Sequence, residues 1–388
     1  MNYLVSKFFP PRTVERDVSR VGIDWILFFS TWPPLLVGLI TMNSFTDSGN
    51  FFTRQLVWIG VAFTVFFILS HIDFRFLRKT WVSVALFVGS CATLVTLFAV
   101  GTVAKGAQSW FSFGLFSVEP SDPIKLALII ILSKYFSRRH IEIANIRHIL
   151  VSGIYAFAVF MLIIIHPDFG SAIIIFLLWF GMVLVSGISK KHLLLMGIAG
   201  LLVFGALWTF GFKEYQKNRI VNFIYPLADI HGTGYNAYQS TIAVGSGEFL
   251  GKGVGYGTQS RLKFLPEYQT DFVFAAFAEE WGFVGVLILF LFFTIIVWRI
   301  ILSAMTGATN FEILFGAGMA IFFIVHIAIN VGMNIQLLPV TGTTLPFLSY
   351  GGTHLVTEFA GLGILMGMRR YSRVAHKDVS KNEFIGPA

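Results

Sequence analysis

The sequence PEYQTDFVFAAFAEEWGFVGVLILFLFFTIIVWRIILS, residues 266 to 303, joins a short polar segment to a long apolar run. A helix needs about 20 apolar residues to cross the hydrocarbon core of a bilayer. The run from 271 to 303 is longer than that, so we expect a spanning helix that is tilted or broken. It contains Glu279 and Glu280, and charged residues at such depth are expected to face the interior of a helix bundle.

The rest of the chain shares this apolar character. Of its 388 residues 56% are hydrophobic and 12% are charged, and the mean hydropathy is +0.76, which excludes a water-soluble surface. Repeated apolar runs separated by short polar links favour an all-α integral membrane protein over a β-barrel. The single cysteine, Cys91, excludes an intrachain disulfide and a cysteine-based zinc site.

The sequence predicts a polytopic bundle of about ten transmembrane helices in one membrane domain, 22–370, between terminal tails 1–21 and 371–388. The predicted helices span 22–42, 54–72, 81–101, 123–136, 146–166, 169–188, 192–213, 271–303, 311–333 and 351–370. Lys and Arg in short segments are concentrated on the side of the two tails, so both termini are predicted to be cytoplasmic. The net charge of +8 is then topological, with anionic membrane lipids rather than nucleic acid as its partner.

A long segment, 214–270, separates the seventh and eighth predicted helices. It is too rich in aromatic and aliphatic residues to be disordered, so we expect an ordered extracytoplasmic loop. A shorter feature on the same face, 102–122, carries Trp110 and Glu119.

The long segment contains a glycine-rich stretch, GSGEFLGKGVGYG, residues 245–257. It lacks the first glycine and the magnesium-binding Ser or Thr of a Walker loop. Glycine allows backbone N–H groups to approach an anion, and Lys252, Arg261 and Lys263 add positive charge, so a substrate phosphate is one interpretation. A glycine-rich turn with solvated lysines is the alternative.

Two carboxylates follow, Glu267 and Asp271. Asp271 begins the long apolar helix, where the helix dipole stabilises an anion that could accept a proton. A plain helix cap is the alternative, because Thr270 and Asp271 are both good capping residues.

Other charges lie in or beside predicted helices. Asp122 and Lys125 are one helical turn apart and can pair, either as a structural ion pair or as part of a site. The full set is Asp24, Asp122, Lys125, Glu279, Glu280 and Glu358.

Several stretches resemble the shape, elongation, division and sporulation (SEDS) family over nearly the whole chain. They are HPDFGSA (166–172), NRIVNF (218–223), GTGYNAYQSTIAVGSGEFLGKG (232–253), GTQSRLKFLPEYQTDFVFAAFAEEWG (257–282) and LPVTGTTLPFLSYGGT (338–353). The segment GTQSRLKFLPE is more similar to the elongation branch, RodA, than to the division branch, FtsW.

This resemblance implies an inverting peptidoglycan glycosyltransferase that polymerises lipid II on the outer face of the bacterial inner membrane. It assigns Asp271, in the family's PE-x-x-TDF motif, as general base on the acceptor 4-hydroxyl, with undecaprenyl pyrophosphate leaving. It also implies a divalent cation, Mg or Mn, at an unknown site. The implied partners are a class B penicillin-binding protein transpeptidase and the elongation machinery.

The family's QPSE-x-x-K motif is present as EPSDPIK, residues 119–125, with Glu119 for Gln and Asp122 for Glu. The shorter Asp122 leaves its reach toward Lys125 open, and Ser109 stands where the family has an arginine before Trp110. The predicted substrate-binding residues are Trp110, Asp122, Lys125, Arg219, Lys252, Arg261, Lys263, Glu267 and Ser349.

Two other functions remain open from the sequence: a lipid II flippase or other transporter that uses the interior charges as a polar path, and a non-catalytic scaffold. The polar chemistry is densest in 214–271, on the predicted outer face, which favours the enzyme.

Overall fold

The computed structural model describes residues 22–43, 51–104, 107–113, 116–137, 146–211, 217, 221, 223–225, 234–262, 264–265 and 267–382. Arg219, Lys263 and the N-terminal tail 1–21 lie outside the described residues.

Each predicted span corresponds to helix in the structure. The helices are α1 (Trp25–Ser30), α2 (Trp32–Asn43), α3 (Phe51–Ser70), α4 (Thr80–Val100), α5 (Ser121–Ser137), α6 (Ile146–Ile165), α7 (Phe169–Val185), α8 (Lys190–Ala206), α9 (Tyr235–Ser246), α10 (Val273–Met305), α11 (Asn310–Asn334) and α12 (Gly352–Asn382). Three short helical segments complete the list: a 3-10 helix at Phe74–Arg78, a π-helix at Leu207–Gly211 and a single α-helical turn at Thr258–Arg261. The predicted all-α membrane bundle is confirmed.

Seven helical stretches in the described part of the chain are long and apolar enough to cross a membrane, and α7 is a shorter apolar helix. The first predicted span is divided at Thr31 into α1 and α2. Two prolines, Pro33 and Pro34, fall in the first turn of α2, where proline is tolerated because those N–H groups have no partner within the helix.

A small antiparallel sheet between α4 and α5 was not predicted. Its strands β1 (Thr102–Ala104), β2 (Ala107–Phe113) and β3 (Phe116–Val118) pair in chain order. In the register Thr102 lies opposite Trp110, and Phe111 lies opposite Val118. Trp110 is half-buried in the middle strand.

The core is formed by α3, α10, α11 and α12, with buried phenylalanines between them. At its centre α12 packs closely along α3. Gly352, which begins α12, lies directly against the Trp58 ring, where a Cβ would overlap the indole. A Cβ at Gly363 would meet the Phe66 carbonyl at 2.9 Å, so small residues allow the two helix backbones to approach.

The long helix α10 is kinked at Gly282, which has φ 65° and ψ −169°. This confirms the expected break. Segment 247–253 fills the gap in the helical hydrogen bonds: the Lys252 N–H donates to the Glu279 carbonyl (3.0 Å), and the Phe283 N–H donates to the Glu248 carbonyl (2.9 Å). Equivalent bonds join Gly253 to Glu280 (3.0 Å) and Val284 to Phe249 (3.1 Å).

The glycines of this segment serve the same close approach. A Cβ at Gly251 would overlap the Glu280 carbonyl. The Gly251 and Gly253 N–H groups donate to the carbonyls of Gly247 and Glu280, and the Gly255 N–H donates to Glu280 Oε1 (2.8 Å). These three N–H groups are therefore used within the protein, and the interpretation as a structural turn describes this part of the loop.

Candidate active site

Asp271 lies in a turn that immediately precedes α10 and is half-buried. Its backbone is held from two directions. Its N–H donates to the Glu267 carbonyl (3.1 Å), and its carbonyl accepts from Asn330 Nδ2 (3.0 Å) and Asn334 Nδ2 (3.1 Å) on α11. The carboxylate is close to Gly342, with Oδ2 3.4 Å from the position that a Cβ there would take.

The start of α10 receives part of its capping from α11. The N-cap position is Phe272, which has no side-chain acceptor, and Asn334 Oδ1 accepts the N–H of Ala275 at 3.2 Å. The helix start therefore does not depend on Asp271 alone, which weakens the interpretation of Asp271 as a plain cap.

Loop 338–351 lies beside Asp271. Asn330 Nδ2 also donates to the Thr343 carbonyl (2.6 Å). Ser349 Oγ donates to the Thr270 carbonyl (2.7 Å) and accepts the Leu345 N–H (2.8 Å). Ser349 is only 5% exposed, so its hydroxyl joins this loop to the Asp271 turn, and its predicted contact with substrate stays a prediction.

A second polar group lies between α5 and α12. Asp122 Oδ1 accepts a hydrogen bond from Lys125 Nζ at 2.9 Å, so the shorter aspartate still reaches the lysine. The pairing predicted from their spacing is confirmed. Both side chains are buried, so the substrate contacts predicted for them require the surrounding structure to open.

Sequence reasoning missed one member of this group, His354. Its Nδ1 lies 3.2 Å from Asp122 Oδ1, and its Nε2 lies 3.0 Å from Glu358 Oε1. Glu358 was identified as an embedded charge, and a histidine four residues before it on the same helix face was the available signal.

The two parts of the site share one loop. Glu358 Oε2 accepts the N–H of Phe347, a residue of loop 338–351, at 3.2 Å. At the start of α7, a Cβ on Gly170 would meet the Thr341 carbonyl at 2.6 Å. The loop thus contacts the Asp271 turn, the α12 charges and the start of α7.

Glu119 precedes α5 and extends this polar group. Ser121 Oγ donates to Glu119 Oε1 (2.6 Å), and Ser171 Oγ donates to Ser121 (3.2 Å). Burial, and then the negative charges of Asp122 and Asp168, raise the pKa of the Glu119 carboxyl to about 8. At neutral pH this carboxyl is therefore largely protonated.

Lys252 is engaged with a buried carboxylate. Glu279 is fully buried and accepts from Lys252 Nζ (2.8 Å), Thr258 Oγ1 (3.0 Å) and the Gln259 N–H (3.1 Å). The buried carboxylate is thus supplied with an ammonium partner and further donors, as burial of a charge requires. A substrate contact by Lys252 stays a prediction.

The remaining predicted residues in the described structure are Arg261 and Glu267, and Glu267 contacts Asp271 through its backbone carbonyl. Arg261 is exposed at the end of the helical turn Thr258–Arg261. Glu267 is half-buried with φ 52°, in the same turn as Asp271.

No group of three His, Cys, Asp or Glu side chains suited to a metal ion occurs among the described residues. The chain therefore offers no preformed protein cage there. Magnesium usually binds to one or two carboxylates together with substrate phosphates. The predicted cation is therefore expected to bind together with the substrate.

Comparison with known proteins gives consistent results. Residues 34–374 match the family described as Cell cycle protein, FtsW/RodA/SpoVE. The chain is 34% identical to Stage V sporulation protein E of Bacillus subtilis over 92% of its length and 99% of that protein. It is 32% identical to peptidoglycan glycosyltransferase MrdB of Escherichia coli K12, over 84% of this chain and 87% of that protein.

Solved structures agree. A chain from a study of polymerisation and crosslinking by a peptidoglycan synthase complex superposes with a TM-score of 0.77 at 28% identity, over 90% of this chain and 98% of that one. The crystal structure of Thermus thermophilus RodA gives 0.66 at 26% identity, over 90% and 97%.

Matches to proteins named FtsW as well as to Thermus thermophilus RodA leave the elongation and division branches undistinguished. What they share is clear: this membrane-spanning chain belongs to the FtsW/RodA/SpoVE, or SEDS, family and is a peptidoglycan glycosyltransferase.

Proposed function

We propose that the enzyme polymerises lipid II with Asp271 as the general base. The observation that carries this is the placement of a half-buried carboxylate at the start of α10, with its backbone fixed by Asn330 and Asn334. Fixed geometry is what a general base needs to reach a substrate proton.

In the proposed reaction Asp271 takes the proton of the acceptor GlcNAc 4-hydroxyl. That oxygen bonds to C1 of the donor MurNAc, and the bond from C1 to the pyrophosphate oxygen breaks. The electron pair leaves with undecaprenyl pyrophosphate, and one displacement inverts the anomeric centre. Proton transfer of this kind typically contributes about 10²–10⁴ in rate.

Charge on the departing pyrophosphate must be offset. Lys125 Nζ makes one hydrogen bond to a described residue, its bond to Asp122, so two of its three N–H donors remain for an anion. An ammonium in a site of low dielectric stabilises developing charge more strongly than one in water. The proposed set is completed by a Mg or Mn ion and by the basic residues Lys252, Arg261, Lys263 and Arg219.

We further propose a role in elongation at the bacterial inner membrane, with the termini in the cytoplasm and Asp271 on the outer face. The Lys and Arg distribution supports this orientation. The similarity to a chain of a peptidoglycan synthase complex supports a class B penicillin-binding protein as partner.

The test is polymerisation of lipid II by purified enzyme in detergent with Mg²⁺, with and without the transpeptidase. Asp271→Asn should insert normally and make no glycan polymer. Asp73→Asn, which changes a distant aspartate between α3 and α4, is the matched control and should retain activity. Near-wild-type polymer from Asp271→Asn would remove Asp271 from its role. Because detergent presents no membrane to cross, polymer formation also separates the enzyme from a flippase.

A further inference from the structure

On the basis of the proposed function, we infer that His354 is a positioning residue: it holds Asp122, and through it Lys125, in the arrangement that glycan polymerisation uses. His354 is 4% exposed on α12, far from Asp122 in sequence and next to it in space.

One carboxylate oxygen lies within hydrogen-bond distance of two nitrogen groups. Asp122 Oδ1 lies 2.9 Å from Lys125 Nζ and 3.2 Å from His354 Nδ1. Because His354 approaches the same oxygen from another helix, the Asp122 side chain is fixed between α5 and α12. Lys125 is then bonded to a carboxylate that His354 keeps from rotating away from it.

The charges of the group balance only with His354 included. Asp122 and Glu358 are two carboxylates, and Lys125 is one ammonium. A protonated imidazole makes the four-residue set neutral, and a buried set with an unpaired charge is strongly unfavourable. His326, whose ring centroid lies 4.8 Å from that of His354, bonds through Nδ1 to the Phe322 carbonyl.

His354 is itself fixed from behind. Glu358 Oε1 lies 3.0 Å from His354 Nε2, and Glu358 Oε2 accepts the Phe347 N–H. Phe347 belongs to the loop that is bonded to the Asp271 turn through Ser349. Lys125 is thereby linked, through Asp122, His354 and Glu358, to the same loop that contacts the turn of the proposed base.

The functional consequence follows from where Lys125 acts. If its free N–H donors stabilise the leaving pyrophosphate, the stabilisation is greatest when the bond to C1 is breaking. Loss of His354 should therefore lower kcat, with little change in KM.

A double-mutant cycle tests this. His354→Gln should lower kcat for lipid II polymerisation about tenfold, and Asp122→Asn should lower it further. If His354 acts through Asp122, the double variant should be no slower than Asp122→Asn. His326→Gln is the matched control, a buried histidine beside His354 that bonds to the Phe322 carbonyl and to no carboxylate among the described residues, and it should stay within about twofold of wild type.

The inference would be overturned if the two single effects on kcat multiplied in the double variant, or if His354→Gln changed only KM. The same cycle is measured in thermal unfolding, which does not require activity. If the wild-type enzyme is active and the free-energy changes from both kcat and thermal unfolding are additive, only the role of His354 is contradicted and the proposed function stands. A wild-type enzyme that makes no polymer, with coupled unfolding temperatures, contradicts the proposed function and supports the link from His354 to Asp122.

Discussion

Asn334 holds the backbone of Asp271: its Nδ2 donates to the Asp271 carbonyl at 3.1 Å, and its Oδ1 accepts the N–H of Ala275. A single buried amide thus joins the end of α11 to both sides of the α10 start. These bonds do not involve the Asp271 carboxylate, yet they determine its position from α11, the helix that follows α10.

We predict that Asn334→Ala reduces both stability and activity. It leaves the Asp271 carbonyl with fewer donors and the Ala275 N–H unpaired, and an unsatisfied buried group costs about 1–3 kcal/mol. Thermal unfolding in detergent should shift downward, and polymerisation should fall at least about tenfold, since a misplaced base loses its geometry. Thr294→Ala, which removes a hydroxyl on the exposed face of α10, is the control. Unchanged polymerisation by Asn334→Ala would show that the Asp271 position does not depend on this amide.

The kink in α10 predicts a second effect. Gly282→Ala places a Cβ on a residue with φ 65°, where it would overlap the Gly251 N–H. A residue forced into such a backbone conformation costs roughly 1–3 kcal/mol, and the overlap with segment 247–253 adds to it. Folded yield and the unfolding temperature should both decrease.

Gly197→Ala on α8 is its control. Gly197 is within a helix and has open space around its Cβ position, so alanine there should stabilise slightly, by up to about 1 kcal/mol. Equal behaviour of the two variants would mean that segment 247–253 can move away from the kink.

Glu119 predicts a pH dependence. Because the folded pKa of Glu119 is raised from 4.5 to about 8, its contribution to stability is fully present below pH 4.5 and is lost as pH rises through 8. Glu119→Gln removes this ionisation. The unfolding temperature of Glu119→Gln relative to wild type should therefore rise between about pH 5 and pH 9. A difference that stays constant over this range would place Glu119 in a less buried setting than the structure gives.

At the opposite end of α10, Asp24 bonds to two arginines. Arg299 Nη2 and Arg369 Nη1 lie 2.6 and 3.0 Å from Asp24 Oδ2, and Asp24 Oδ1 also accepts the Leu27 N–H at the start of α1. Removing one partner of a buried pair costs roughly 3–5 kcal/mol, reduced here because the arginines are about a quarter exposed.

Asp24→Ala should therefore lower the unfolding temperature clearly. Asp73→Ala breaks an exposed pair with Arg75, worth about 0–1 kcal/mol, and should change it little. A small effect of Asp24→Ala, similar to that of Asp73→Ala, would show that α1, α10 and α12 are held together here by apolar packing.

The helices were predicted well because the length of each apolar run can be compared directly with the thickness of a bilayer. The break in α10 was also expected, since 33 residues exceed a bilayer crossing. The β1–β3 sheet was missed because its strands are short and occur between two spanning helices, where no periodic pattern distinguishes them.

The site was predicted in part, for a physical reason. Asp122 and Lys125 are neighbours along one helix, so their spacing predicts their bond. His354 meets Asp122 only through the packing of α12 on α5, and Gly251 meets Gly282 only through the kink. Such contacts depend on the tertiary fold, which is why a glycine-rich stretch that looks suited to phosphate is instead bonded to a helix.

The kink at Gly282 constrains how this protein can assemble. Inserted alone, α10 would carry carbonyls at Glu279 and Glu280 and N–H groups at Phe283 and Val284 with no partner in hydrocarbon, where each costs several kcal/mol. Residues that precede the helix in the chain must therefore reach the interrupted turn before it can rest stably in lipid. The helix that presents Asp271 is completed only after its own upstream neighbour has docked.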